Sequence, residues 1–281
     1  MAMFLKPSYE TVESSFWRKP KLISVKMEDR VKNKTIRAMH VHDDRVEIVL
    51  VRSGHGLNTV DGRLYAVSAG DILIYNAGVV HDEHTDTQDG MDIIWCIATN
   101  IQIGRQPDNI LIPQGCTPVL HAADCFPEAE SLMIMLMSAE DEEIRYHLLC
   151  ALLLLLRGEA IRRGDTAMDK NTQLSHEIQQ YIDAHYLEDI CLEDIAEHVG
   201  KNASYLSRVF HRTVGYSPIQ YAIRRRIGQA QSWLLMTDKT VTEIAFLVGY
   251  NSVGNFHAAF LKTVGMTPQK YRELWADHPK T

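Results

Sequence analysis

Ile195-Ala196-Glu197-His198-Val199-Gly200, followed by Leu206, Phe210, Gly215 and Pro218-Ile219-Gln220-Tyr221, occurs twice in this 281-residue chain. The second copy reads Ile244-Ala245-Phe246-Leu247-Val248-Gly249, then Phe256, Phe260, Gly265 and Pro268-Gln269-Lys270-Tyr271. The offset is 49 residues up to the paired glycines and 50 beyond them, so the second copy has one extra turn residue. A solenoid wants three or more repeats. Two copies of helix, Gly-containing turn and helix instead describe a pair of helix-turn-helix units, and such a pair points to DNA.

Working outward, each copy resolves into an inward and an outward face. In the first, Leu192, Ile195, Ala196 and Val199 make one side of a short helix that Gly200 can end in the left-handed conformation. Asn202 is a good N-cap for the next helix, which turns Leu206, Val209 and Phe210 inward. Ser204, Ser207, Arg208 and His211 fall on the opposite side and are the candidates for the major groove. Arg208 is the best reader of guanine, and Arg212 is placed to meet phosphate. The second copy presents Val253, Gly254, His257, Ala258 and Leu261, a smaller and more apolar surface, with Lys262 within reach of phosphate. A long helix from Tyr221 to Leu235 joins the copies, and Gly228 inside it costs about 1 kcal/mol relative to Ala, which calls for a local packing reason.

The net charge of −7 does not argue against DNA, because of where it lies. Residues 171–281 hold 11 Lys+Arg and 11 Asp+Glu, so the whole excess of acid sits in residues 1–170. Between Glu197 and Asp238 there is no acid, only Lys201, Arg208, Arg212, Arg224, Arg225 and Arg226; a second acid-free window from Glu243 to Glu273 holds Lys262, Lys270 and Arg272. Local positive windows serve phosphate binding; the plainer alternative is a solvated helix face.

This C-terminal pattern resembles the AraC-type family of bacterial transcription regulators. The matching residues are Ile195-Ala196-x-x-Val199-Gly200, Tyr205-Leu206-Ser207-Arg208-x-Phe210, Gly215-x-Ser217-Pro218-x-x-Tyr221, Arg226-x-x-x-Ala230-x-x-x-Leu234-Leu235, Ile244-Ala245-x-x-Val248-Gly249-Tyr250, and Phe256-x-x-x-Phe260-x-x-x-x-Gly265-x-Thr267-Pro268-x-x-Tyr271-Arg272. The resemblance implies two units held by a rigid helix, reading successive major-groove segments about 34 Å apart. His257-Ala258-Ala259 departs from the Ser-Arg usual in the family, which directs the second unit toward phosphates and DNA shape.

The N-terminal half is different. Val46–Val51, Ile72–Tyr75 and Ile93–Ile97 are short β-branched runs, and Asp61-Gly62 carries a hairpin signal. Residues 34–103 therefore predict an all-β sandwich or barrel. Residues 128–162 predict two helices broken near Ser138–Asp141, the second apolar on most of its surface and so buried, either within one subunit or partly against a second. Residues 166–173 predict a linker.

His40-x-His42-x-x-x-x-Glu47 with Gly54, followed by Gly70, Asn76, Gly78 and His81, resembles the two cupin motifs, with Asn76 where Pro is usual and Thr85 where Asn is usual. In metallocupins the positions of His40, His42, Glu47 and His81 bind a divalent metal. Two residues apart on a strand, His40 and His42 point to one face. Three imidazoles and a carboxylate suit Zn, Ni, Fe or Mn with positions left open. The alternative is that the four line a pocket and hydrogen-bond a polar molecule. His84, His121 and His147 are expected to be surface or satisfied histidines.

The expected architecture is multidomain α+β. A cupin-type barrel with a helical hairpin (1–165; barrel about 34–105, helices about 128–162) serves effector binding and dimerisation. The linker follows, then an all-α DNA-binding domain (174–281) with two helix-turn-helix units. The expected function is a regulator that binds operator DNA and answers to a small polar effector such as a sugar. It would be a homodimer that meets RNA polymerase if it activates, and not an enzyme. A metal-dependent cupin enzyme fused to a DNA-binding module is the alternative. The N-terminus lacks an apolar signal region, no run approaches the roughly 20 residues of a membrane span, and Cys96, Cys116, Cys125, Cys150 and Cys191 have no C-x-x-C spacing. A cytoplasmic protein with buried reduced thiols is expected.

Overall fold

The computed structural model describes residues 16–29, 37–85, 90–164 and 169–275. Eight strands form the N-terminal half among these residues: β1 (Lys21–Glu28), β2 (Arg37–His40), β3 (Val46–Val60), β4 (Arg63–Ser68), β5 (Ile72–Tyr75), β6 (His81–Thr85), β7 (Met91–Thr99) and β8 (Val119–Leu120). β3 is 15 residues long and serves two sheets. Its first half lies between β7 and β5 in the order β1-β7-β3-β5-β8; its second half pairs with β4 and β6, and β6 carries β2. All pairings are antiparallel. β3 and β4 turn through Asp61 (φ 48°) and Gly62 (φ 69°), the two positive φ values that the Asp-Gly signal anticipates.

The first part of β3, Val46 to Val51, is buried on both faces, which explains its nearly unbroken apolar run. Val46, Ile48 and Leu50 face a helical hairpin, α1 (Phe126–Ser138) and α2 (Glu142–Arg163), and pack with Leu149, Leu152, Leu153 and Leu156. Val49 and Val51 face the other way, with Val60, Val67, Leu73, Tyr75 and Ile93. Glu47 shares that second direction by strand alternation, so a carboxylate stands within the barrel. The hairpin breaks where expected. The apolar surface of α2 is largely covered by the sheet, whereas Ile134, Met135, Met137 and Ile144 remain exposed.

The C-terminal half is helical: α3 (Lys170–His185), α4 (Leu192–Val199), α5 (Ala203–Val214), α6 (Pro218–Met236), α7 (Val241–Leu247), α8 (Val253–Val264) and α9 (Pro268–Trp275). α3 begins earlier than the reading of 166–173 as linker anticipates, because the Asp169 carboxylate caps it by accepting from Thr172 N (2.7 Å). α4, Gly200 (φ 65°) and α5 form the first helix-turn-helix unit; α7 and α8 form the second. The extra residue of the second copy lies between Gly249 and the α8 cap Ser252, where Tyr250 packs edge-on against Phe256 (5.5 Å).

The two halves are not separate bodies joined by a tether. Met39 of β2 is fully buried in the core of the first unit, with Ile195, Leu206, Phe210 and Tyr221. Its neighbour Ala38 is buried in the core of the second, with Ile227, Phe256 and Phe260. β2 therefore lies along α6 and touches both units.

Candidate functional sites: a buried histidine cluster and two DNA-facing helices

His40 ends β2, His81 opens β6 opposite it in register, and Glu47 lies on β3. With His42 they bring one donor atom each within 4.8 Å of one another. His42 Nε2 stands 3.6 Å and His81 Nε2 3.8 Å from Glu47 Oε2. The His40 and His81 rings lie 4.3 Å apart, and Tyr75 stacks on His81 at 4.0 Å. The hydrogen bond from Asn58 Nδ2 to the Tyr75 hydroxyl (3.2 Å) holds that ring.

The donor atoms fit a metal for a reason independent of spacing. His40 Nδ1 bonds to Ala38 O and His81 Nδ1 to Val79 O, both at 3.0 Å. A carbonyl only accepts, so each Nδ1 carries the proton and each Nε2 lone pair faces inward. The Nε2 atoms of His40, His42 and His81 and Glu47 Oε2 are buried with no hydrogen-bond partner among the described residues. Four buried unpaired polar atoms, three of them acceptors in the tautomers just given, are costly unless a cation or donor group joins them. Electrostatics agrees with that state. Burial, helped by the Arg37 charge, holds His40 well below its ordinary value and His42 at about 3. Burial works against ionisation of Glu47, but its charged surroundings, the Arg37 guanidinium among them, outweigh it and lower the carboxyl. Neutral imidazoles at His40 and His42 beside a carboxylate are forms that ligate metals.

Arg37 and Glu83, paired in register across β2 and β6, were not singled out by sequence motifs. Burial and the Glu47 carboxylate push Glu83 up to about 7. Only strand pairing brings this pair beside the cluster. Asn76 explains one departure from the cupin pattern. Its amide donates to Ile112 O (2.8 Å) and accepts from Leu111 N (2.8 Å), fastening a segment that a proline could not bond.

The remaining histidines behave as expected where described. His121 meets Asp71 (3.1 Å) and His147 meets Glu143 (3.3 Å); the His84 side chain lies outside the described residues. The five cysteines form no disulfide among the described residues, but the expectation of buried thiols holds only for Cys96 and Cys125; Cys191 is exposed at the start of α4. Burial pushes the Cys96 thiol up to about 12.

On α5, Ser204, Arg208, His211 and Arg212 are exposed and Ser207 is half-buried. Asn202 caps the helix, accepting from Ser204 N and Tyr205 N. On α8, Gly254, Ala258, Leu261 and Lys262 are exposed and His257 is half-buried. Val253 turns partly into the second-unit core. The tertiary structure corrects one reading of charge. Arg224, Arg225 and Arg226 are not a phosphate-facing cluster. Arg224 bonds Asp82 of the barrel (3.1 Å), Arg225 bonds Asp183 of α3 (2.7 Å), and Arg226 donates to the carbonyls of Tyr186, Glu188 and Gly249. Arg272 is likewise spent on Leu234 O and Lys239 O.

Two known domain families match the two parts of this chain. A family described as a helix-turn-helix domain matches residues 195–274, and one described as a cupin domain matches residues 29–97. The HTH-type transcriptional regulator YdiP of Escherichia coli K12 is 28% identical over 243 residues, covering 83% of this chain and 80% of the relative. The HTH-type transcriptional activator RhaS of Salmonella schwarzengrund is 26% identical over 247 residues, 83% of this chain and 86% of the relative. Among solved structures, unsaturated fatty acid bound ToxT from Vibrio cholerae aligns over 90% of this chain and 94% of its own at 13% identity, with a TM-score of 0.48. The DNA-binding domain of AdpA, solved with a target DNA, aligns over 38% of this chain and 97% of its own at 27% identity, with a TM-score of 0.35. The two domains define a DNA-binding transcription regulator with a cupin ligand-binding domain. Within that class, the chain is similar to regulators of the AraC type.

Proposed function

We propose that this regulator reads operator DNA sequence-specifically, with direct base readout concentrated in α5. Ser204, Ser207, Arg208 and His211 contact base edges and Arg212 a phosphate. On α8, Val253, Gly254 and His257 fit against the groove through shape and Lys262 anchors the backbone. The exposed side chains on one face of α5, against the small apolar face of α8, support this asymmetry. Randomised-site selection with the full chain tests it; equal information content in both half-sites overturns it.

In the barrel, a divalent metal (Zn, Ni, Fe or Mn) is held by His40, His42, Glu47 and His81, leaving room for a small polar effector such as a sugar. The four converging buried polar atoms without a partner among the described residues carry this reading. When bound, the ion supplies a Lewis-acidic anchor for an oxygen-bearing ligand. Elemental analysis of the purified full chain after incubation with each ion and desalting tests it, and retention of no metal overturns it.

The barrel and hairpin (1–165) act as the sensing and dimerising part and residues 174–281 as the DNA-binding part. The apolar residues left exposed on α1 and α2 support a homodimer. As an activator, a role printed for the relative RhaS, it would contact RNA polymerase. Catalysis is the lesser reading, because a sensor must release its effector unchanged, and the relatives carry regulators' names.

A further inference from the structure

We propose that the histidine cluster is linked to α6 through two pairs of adjacent residues, His81–Asp82 on β6 and His40–Met39 on β2. Occupation of the cluster then sets how firmly α6, and with it both helix-turn-helix units, is held against the barrel. This rests on the metal reading of the cluster given above.

Neighbouring residues on a strand point to opposite faces, with Cα atoms 3.8 Å apart. His81 turns into the barrel, and Asp82, fully buried, turns out toward α6. The Asp82 carboxylate accepts from Thr59 N of its own domain (2.6 Å), from Arg224 Nη2 of α6 (3.1 Å) and from the Tyr216 hydroxyl (3.3 Å). The Arg224 guanidinium lies 4.5 Å over the Tyr216 ring, so the charge is held on two sides.

β2 repeats the arrangement. Ala38 O receives the His40 ring, while Ala38 N donates to Gln231 Oε1 of α6 (2.8 Å). One residue on, Met39 O accepts from Arg225 Nη1 (3.4 Å). Gly228 lets helix and strand approach, since a Cβ there would stand 2.0 Å from Met39 O. The two histidines whose rings are fixed by backbone carbonyls are thus the two whose strands are fastened to α6.

α6 connects α5 to α7 and α8, so its seating governs the relative position of both readers. The four donor atoms, up to 4.8 Å apart, must draw together to share one ion. That displacement reaches Asp82 and Met39 through a single peptide link each. A ligand that binds the seated and unseated states with different affinity shifts the balance between them.

The test is hydrogen exchange on the full chain with and without Zn²⁺, with calorimetry giving the stoichiometry. In the wild type, Zn²⁺ is expected to slow exchange across residues 218–236 about fivefold or more. In Asp82→Asn, Zn²⁺ still binds one per chain and still protects residues 37–40 and 81–85, but the slowing across 218–236 is lost or reduced. Arg224→Gln serves as the second variant if Asp82→Asn does not fold, with the same expected loss. Zn²⁺ binding without slower exchange in α6 of the wild type overturns this inference and leaves the metal reading standing. Full transmission in a folded variant also overturns it. Failure of the wild type to bind Zn²⁺ or any of the other ions overturns both.

Discussion

Gly228 of α6 meets Met39 of β2 backbone to backbone, so close that a Cβ on Gly228 would lie 2.0 Å from the Met39 carbonyl oxygen and 2.6 Å from its carbon. The obstacle is main chain, which cannot swing aside. Gly228→Ala must therefore lift the helix from the strand. The better helix propensity of Ala is worth about 1 kcal/mol, but the forced overpacking costs about 1–3 kcal/mol or more. A net loss of stability in denaturant titration is expected, and an increase contradicts the close approach.

Arg208 is exposed on α5, its Nε donating to Ser204 O (3.2 Å), with no acidic partner among the described residues. Arg208→Ala is expected to weaken operator binding by about 1–3 kcal/mol and to relax preference at one base pair. Binding to a randomised-site library measures this; unchanged preference removes Arg208 from base readout.

Lys262, exposed in the last turn of α8, should act on phosphate alone. Lys262→Ala should lower affinity evenly across sequences and reduce the slope of log K against log salt by about 1. A salt titration with operator and unrelated duplexes separates the outcomes. Loss confined to the operator would place Lys262 at a base.

His40→Ala should cut metal content while leaving α5 and α8 untouched. The wild type should gain about 2.7 kcal/mol of stability at Zn²⁺ a hundredfold above Kd, and the variant much less. Thermal unfolding with and without Zn²⁺ reads the difference. An equal rise in both proteins would put the ion elsewhere.

Ile144 is 56% exposed near the start of α2, and Met135 is 45% exposed on α1. An acidic residue at either position costs the monomer little, because neither is in its core. Ile144→Asp should shift a homodimer toward monomer in light scattering at micromolar concentration. Persistence of the dimer places its interface elsewhere.

Much of this was legible locally. The repeat marked two helix-turn-helix units because helix faces and left-handed glycines depend on near neighbours. Asp61-Gly62 marked the β3–β4 turn for the same reason. His40, His42 and Glu47 were legible from their close spacing, and His81 from the second cupin-like stretch that runs from Gly70. β1 was missed: Lys21–Glu28 acquires its strand character from pairing with β7, some 70 residues away. Arg224–Arg226 look like a phosphate cluster in the sequence because their partners are remote in it: Asp82 for Arg224, Asp183 for Arg225 and three backbone carbonyls for Arg226.

The sequence by itself determined the two kinds of domain, the clustering motif of His40, His42, Glu47 and His81, and the different composition of the outward faces of α5 and α8. These follow from periodicity, turn chemistry and side-chain type within windows of a few tens of residues. Only the tertiary structure decided how the domains meet. Ala38 and Met39 read as ordinary strand residues, yet each completes the core of a different helix-turn-helix unit. Burial is a property of the surfaces that pack, and no local pattern records which helix will cover a strand.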